Sequence, residues 1–166
     1  MNWLRKLFGV KKCATLDDLI AYIPVGDLAA LWNWIDWWIP YKKDKDLSEN
    51  WLPAAEVVRR VAKGIGDDCE GIHGVAFAVI NSPKWQAKGW EAQLAVLDRP
   101  EPPRHAICTF VRPDGIKGYV NYGVHLFPGA SWVKVFESMP GGWTDAWWVD
   151  EQGHRLPRVG AKLRAV

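Results

Sequence analysis

The hydrophobic period of this chain changes once, between residues 80 and 91, and that change decides its fold class. Before it, apolar residues recur at helical spacing. In "CEGIHGVAFAVI", Ile72, Val75, Ala76, Val79 and Ile80 fall at i, i+3, i+4, i+7 and i+8, which places them on one face. After it, the segments are short, rich in β-branched and aromatic residues, and punctuated by Pro, Gly and Asp. "EAQLAVL", "HAICTFV", "KGYVNYGV", "SWVKVFE" and "AWWVDEQGHRL" read as strands of an antiparallel sheet. Helices first and strands after give an α+β fold, with N-terminal helices packed on a C-terminal antiparallel β-sheet.

The helical half carries its own start and stop signals. "TLDDLIAYI" opens on Thr15 as an N-cap with a carboxylate three residues on, close to a capping box. Asp27 caps "DLAALWNWIDWWI", which ends at Pro40. In "WLPAAEVVRRVAKG", Pro53 belongs in a first turn and Gly64 at the stop. Asp67 or Asp68 caps the next helix. Gly71 and Gly74 each cost that helix about 1 kcal/mol, which suggests close packing against a sheet. "YKKDKDLSEN" reads as a solvated loop, and "MNWLRKLFGVKKC" as a docked terminus or a short amphipathic helix rather than a signal peptide. One domain over 1–166 is expected, with a Trp-rich helical part over about 1–47 and the cysteine helix plus sheet over about 48–166.

Composition narrows the partners. A formal net charge of +2 over 166 residues calls for neither nucleic acid nor an acidic membrane surface. No apolar run approaches the roughly 18 residues of a membrane span. Three cysteines cannot all pair, so a reducing compartment, the cytoplasm, is the simpler reading. Twelve tryptophans cluster in "WNWIDWW" and "WTDAWW", either as core filling or as a platform for a sugar or peptide.

Between the two halves lies "GIGDDCEGIHGVAFAVI", residues 64 to 80. A thiol in a helix's first turn sits among free N–H groups at the positive end of the dipole, which favours the thiolate. Asp67, Asp68 and Glu70 oppose this, so Cys69 needs an imidazolium partner to react. Alternation along "HAICTFV" puts His105, Ile107 and Thr109 on one face and Ala106, Cys108 and Phe110 on the other. "RPDGI" suits a three-residue hairpin loop with Gly115 left-handed, which pairs Arg112 with Ile116 and hence His105 with Gly123. Asn121 then lies diagonal to His105 on the same face, within side-chain reach. A Cys69–His105–Asn121 triad follows: Asn121 orients the ring, and the ring holds the thiolate and shuttles its proton.

At these residues, "W…PAAEVVRRVAKGIGDDCEGIHGVAFAV", "RHAICTF" and "GYVNYG", the chain resembles the bacterial and phage branch of the transglutaminase-like cysteine proteinase superfamily. The resemblance covers about residues 50 to 124 and rests on Asp68-Cys69-Glu70, His105-Ala106 and Asn121. It departs at Asn121, where Asp is commoner, and at Gly71-Ile72-His73, where an acidic or aromatic residue often follows. The resemblance implies a papain-like fold and a cysteine-dependent acyl-transfer enzyme needing no cofactor. It also implies a peptide, isopeptide or cell-wall crosslink as substrate, in a bacterial or phage-encoded protein of the cytoplasm. It further implies an upstream side chain as second oxyanion donor, for which Trp51 is the expectation. His73, Trp143 and Trp147 are expected at the substrate.

Three other readings compete. Cys69 is a buried inert thiol in the simplest. In another, Cys69, His73, His105 and Cys108 hold zinc, although His105 and Cys108 fall on opposite strand faces. In the last, the domain is catalytically silent and its tryptophan surfaces bind a glycan, peptide or partner protein.

Overall fold

The computed structural model describes residues 9–42, 51–98 and 104–158. Residues 1–8 of the N-terminal run, read as a docked terminus or a short amphipathic helix, and most of the polar run, 43–50, lie outside them. Among the described residues five helices come first: α1 Leu16–Tyr22, α2 Leu28–Trp38, α3 Ala54–Ala62, α4 Cys69–Ile80 and the short α5 Pro83–Gln86. Then follow β1 Glu91–Asp98, β2 His105–Val111, β3 Lys117–Val120, β4 Val124–Phe127, α6 Trp132–Glu137, β5 Asp145–Val149 and β6 Arg155–Arg158. The strands form one antiparallel sheet in the order β4-β3-β2-β1-β5-β6.

Local chemistry sets the helix limits. Thr15 Oγ1 accepts the Asp18 N–H while Asp18 accepts the Thr15 N–H, each at 3.1 Å, a complete capping box. Asp27 caps α2 through the Ala30 N–H at 2.8 Å. Pro53 occupies the N-cap of α3 rather than its first turn. That helix ends at Gly64, whose φ of 81° lets its N–H reach the Val61 carbonyl at 2.9 Å. The Ile65 N–H then reaches Arg60 at 3.0 Å, completing a Schellman motif. At the end of α1 the free carbonyls meet Lys84: its Nζ donates to Ile20 and Ile23 at 2.8 Å each and to Ala21 at 3.3 Å.

The sheet is buried on both faces, which is why β1 reads Leu94-Ala95-Val96-Leu97 without alternation. Leu94, Val96, Cys108, Phe110 and Val120 meet the helices on one side, with Val75, Val79 and Trp34 among their partners. Ala95, Leu97, Ile107, Tyr119 and Ala146 meet Val135, Phe136 and Met139 on the other. The expected face of α4 is buried throughout: Ile72, Val75, Ala76, Val79 and Ile80. Of the tryptophans, Trp34 and Trp85 are fully enclosed and Trp90 nearly so. No helix among the described residues is long and apolar enough to cross a membrane.

Several expectations are corrected. "SWVKVFE" is not a strand but α6, started by Ser131, whose hydroxyl accepts the Lys134 N–H at 3.4 Å. Its apolar residues Trp132, Val135, Phe136 and the following Met139 have helical spacing, but a six-residue run rich in β-branched and aromatic residues is too short for period alone to decide. "KGYVNYGV" divides into β3, a turn at 121–123 and the start of β4, and "AWWVDEQGHRL" covers β5, a turn and part of β6. Neither helix glycine packs on the sheet: a Cβ on Gly71 would run into the Asp67 carboxyl, and Gly74 faces open space.

Replacing Lys84 by Met removes the donor that three α1 carbonyls share. The expected loss is about 1–2 kcal/mol, read as a lower urea midpoint at unchanged slope.

Candidate active site

The β2–β3 hairpin assembles the first half of the site. Gly115 is left-handed (φ 78°), and Arg112 and Ile116 close the loop through an N–H···O bond of 2.9 Å. The pairing Cys108↔Val120 to Val111↔Lys117 is the register the loop dictates. It leaves His105 and Asn121 diagonal at one end of the sheet, with His105 Nε2 at 2.9 Å from Asn121 Oδ1. A carboxamide oxygen accepts but cannot donate, so Nε2 carries the proton and Nδ1 is the basic nitrogen.

Aromatic rings hold that imidazole. Trp143 lies nearly parallel to it (5.8 Å between centroids, 16°), Tyr122 parallel (6.3 Å, 6°) and His73 edge-on (5.6 Å, 87°). Tyr122 sits in the tight turn after β3 at φ 49°, with 79% of its surface exposed. Trp143 is fixed by its indole N–H on the Pro140 carbonyl at 2.8 Å, beside a pocket of about 210 Å³ under the Pro140-Gly141-Gly142 turn.

The second half is Cys69, the first residue of α4. The backbone N–H of Ala106, the residue after His105, lies near enough to the sulfur to favour its charged form. Its own S–H points to Glu70 Oε2 at 3.2 Å. The approach to Cys69 is shaped by Asp67, a buried carboxylate that accepts the Asp68 N–H at 3.0 Å and pairs with Arg60 at 3.3 Å. Asp67 also bonds Pro40 and Lys42 through its backbone, at 3.1 and 2.8 Å, and this bridge delivers Tyr41 to the site. Gly66 is required there, because a Cβ would overlap the Pro40 carbonyl.

Burial pushes the Cys69 thiol well above its ordinary value; Glu70's charge adds to this, the Ala106 N–H opposes it, and Asp68's charge raises it a little further. The resting group is therefore a thiol, and the helix terminus does not outweigh its surroundings. Asp68 is raised to about 7 by burial first, then by its hydrogen bond to Glu70 and that residue's charge. His73 is lowered to about 3 by burial first and then by His105. The Tyr41 phenol is raised by burial, then by the charges of Cys69 and Tyr122, so it lies within electrostatic reach of the sulfur although 60% of the residue is exposed.

The other expected site residues divide. Trp143 joins the site. His73 does not line a cleft, being 3% exposed; it is enclosed between α4 and the sheet. Trp51 stands against Gly153 in the β5–β6 turn, at the end of the sheet away from His105, with its indole N–H buried and unbonded. It is not placed to serve the sulfur. Trp147 pairs with Val96 in mid-strand under the Arg155 guanidinium (4.8 Å), so it is no part of the site either. Cys108 points into the helix-facing core, and no group of three metal-binding side chains occurs among the described residues. Sequence reasoning missed Tyr41 and Tyr122. Tyr122 neighbours Asn121 in a turn, a findable signal; Tyr41 arrives through a two-residue bridge that leaves none.

Comparison with family models, curated proteins and solved structures finds no match.

Two outcomes are expected. Glu70→Gln removes a charge that disfavours the thiolate, so iodoacetamide should label Cys69 about tenfold faster at pH 7, the effect of one pKa unit, measured by peptide mapping. The folded protein keeps the Asp68 proton to about pH 7, whereas an unfolded aspartate loses it near 4. The unfolded state thus binds fewer protons between these limits, and this residue's contribution makes stability fall as pH rises. Asp68→Asn should therefore gain on the wild type as urea unfolding is moved from pH 4.5 to 7.5.

Proposed function

We propose that this protein is a cysteine-dependent acyl-transfer enzyme of transglutaminase-like, papain-like type, and that it most often acts as an amide hydrolase. The observation that carries the reading is the His105 Nε2–Asn121 Oδ1 bond of 2.9 Å, on a strand whose next peptide N–H lies near the Cys69 sulfur and favours its charged form. An inert buried thiol needs no oriented imidazole at its side.

In this reading the thiol is not ionised beforehand. His105 Nδ1 takes the S–H proton as sulfur attacks the substrate carbonyl. The developing oxyanion is met by the Cys69 backbone N–H at the helix start, with the Tyr41 hydroxyl in the role expected of Trp51. His105 returns the proton to the leaving amine, which departs and leaves a thioester. Water, or a second amine, adds to the thioester carbonyl as His105 takes its proton. The carbon–sulfur bond breaks, and His105 reprotonates the thiolate. Asn121 keeps Nε2 protonated and the ring in plane throughout. Exposed Tyr41 and Tyr122 line the approach for a peptide, isopeptide or cell-wall crosslink, in a bacterial or phage-encoded protein of the cytoplasm.

p-Nitrophenyl acetate tests the chemistry without a natural substrate. Wild type should release a burst of nitrophenolate of about one per chain as Cys69 becomes acetylated. Cys69→Ala should abolish the burst, and His105→Ala should slow it by about 10²-fold or more. Asn121→Ala should slow it about tenfold, as for an orienting partner. A wild-type protein with no burst, or a burst that survives Cys69→Ala, would overturn the reading and leave the exposed aromatic rings as a binding surface.

A further inference from the structure

The proposed chemistry uses one imidazole, yet the site holds two. His73 is one turn after Cys69 and is the polar side chain most deeply enclosed near the sulfur. Its Nδ1 lies 2.7 Å from the Cys69 carbonyl, and its ring stands edge-on to His105 at 5.6 Å. A carbonyl oxygen accepts, so Nδ1 carries the proton and the buried Nε2 presents a lone pair. Nε2 makes no hydrogen bond of ordinary geometry, and the Val120 carbonyl from β3 acts on it only weakly. An interior polar atom left in this state costs about 1–3 kcal/mol, and a phenylalanine of similar shape would avoid that cost.

We infer that His73 is a positioning residue that sets the Cys69 turn and the His105 ring in fixed relation, and does so through its Nδ1–H. This rests on the catalytic reading above. One rigid side chain spans both partners: the Nδ1–H end holds the carbonyl of the nucleophile's own residue, and the ring packs edge-on against His105, to which Trp143 and Tyr122 stack parallel. Neutrality is part of the function. His105 becomes imidazolium in each half-reaction, and a second positive charge about one ring away would oppose it. The groups facing His73 are His105 from β2, the Cys69 carbonyl from α4 and the Val120 carbonyl from β3; none is an anion that would draw a proton onto it. Burial disfavours its charged form.

The test is a pair of measurements on the full chain. Long-range ¹H–¹⁵N spectra of the imidazoles, from pH 8 to 5, should show His73 fixed as the neutral Nδ1–H tautomer. Peptide mapping of iodoacetamide labelling should find Cys69 in His73→Phe about tenfold slower than wild type, the scale of a small misplacement. His73→Asn, which sets an amide N–H where Nδ1 was, should restore most of that rate. An Nε2–H tautomer, a His73 that gains a proton within this range, or wild-type labelling in a folded His73→Phe would overturn the inference. Should His73→Phe not fold, the wild-type tautomer decides. A failed acetylation burst removes the reading beneath; a burst with the wrong tautomer removes this inference alone.

Discussion

Helix α4 is tied down at both ends, and the site exists because of it. At its C-terminal end the Asn81 side chain pairs with Ala92, donating to the carbonyl at 3.0 Å and accepting the N–H at 2.9 Å, as a neighbouring strand residue would. At its N-terminal end the Cys69 sulfur lies near the Ala106 N–H of β2, which favours its charged form. Between them the fully enclosed Val75, Ala76, Val79 and Ile80 provide the adhesion. Apolar burial has no direction of its own, so the polar ends set the axial position. A slip of one residue would carry the cysteine about 1.5 Å along the axis, out of line with the strand that carries His105.

What could be read from sequence follows from how far each signal reaches. Capping at Thr15 and Asp27, the stop at Gly64 and the Gly115 loop are local, and each appears where local chemistry puts it. The loop reached furthest, because a hairpin register propagates: one left-handed glycine fixed the diagonal of His105 and Asn121 five strand positions away. Long-range placement was not legible. The Trp51 indole went to a distant turn, Tyr41 came through a bridge to Asp67, and His73 turned inward. All three depend on how helices lie across the sheet, which periodicity does not encode. α6 failed for a different reason: six residues rich in valine and aromatics read as a strand by type and are too few for their helical spacing to stand out.

The three acids around Cys69 look alike in sequence and do different work. Asp67 is structural, lying beneath Gly71 with Arg60 and the Asp68 N–H as partners. Asp68 and Glu70 form a carboxyl pair around one proton, and Glu70 also receives the thiol. Their combined charge, with burial, outweighs the helix terminus that a sequence reading credits with activating the sulfur. A reactive cysteine here depends on a base that acts during attack, and so on how well His105 is held.

Tyr122 carries a cost that belongs to evolution more than to folding. A non-glycine residue at φ 49° pays on the order of 1 kcal/mol in backbone strain, and here it pays to hold an exposed ring over His105. Selection for thermal robustness alone would replace it with glycine or asparagine and would remove the aromatic rim of the cleft in the process. The turn is thus a place where stability and recognition pull apart, and lineages that specialise this scaffold for different ligands would be expected to diverge there before they diverge in the sheet.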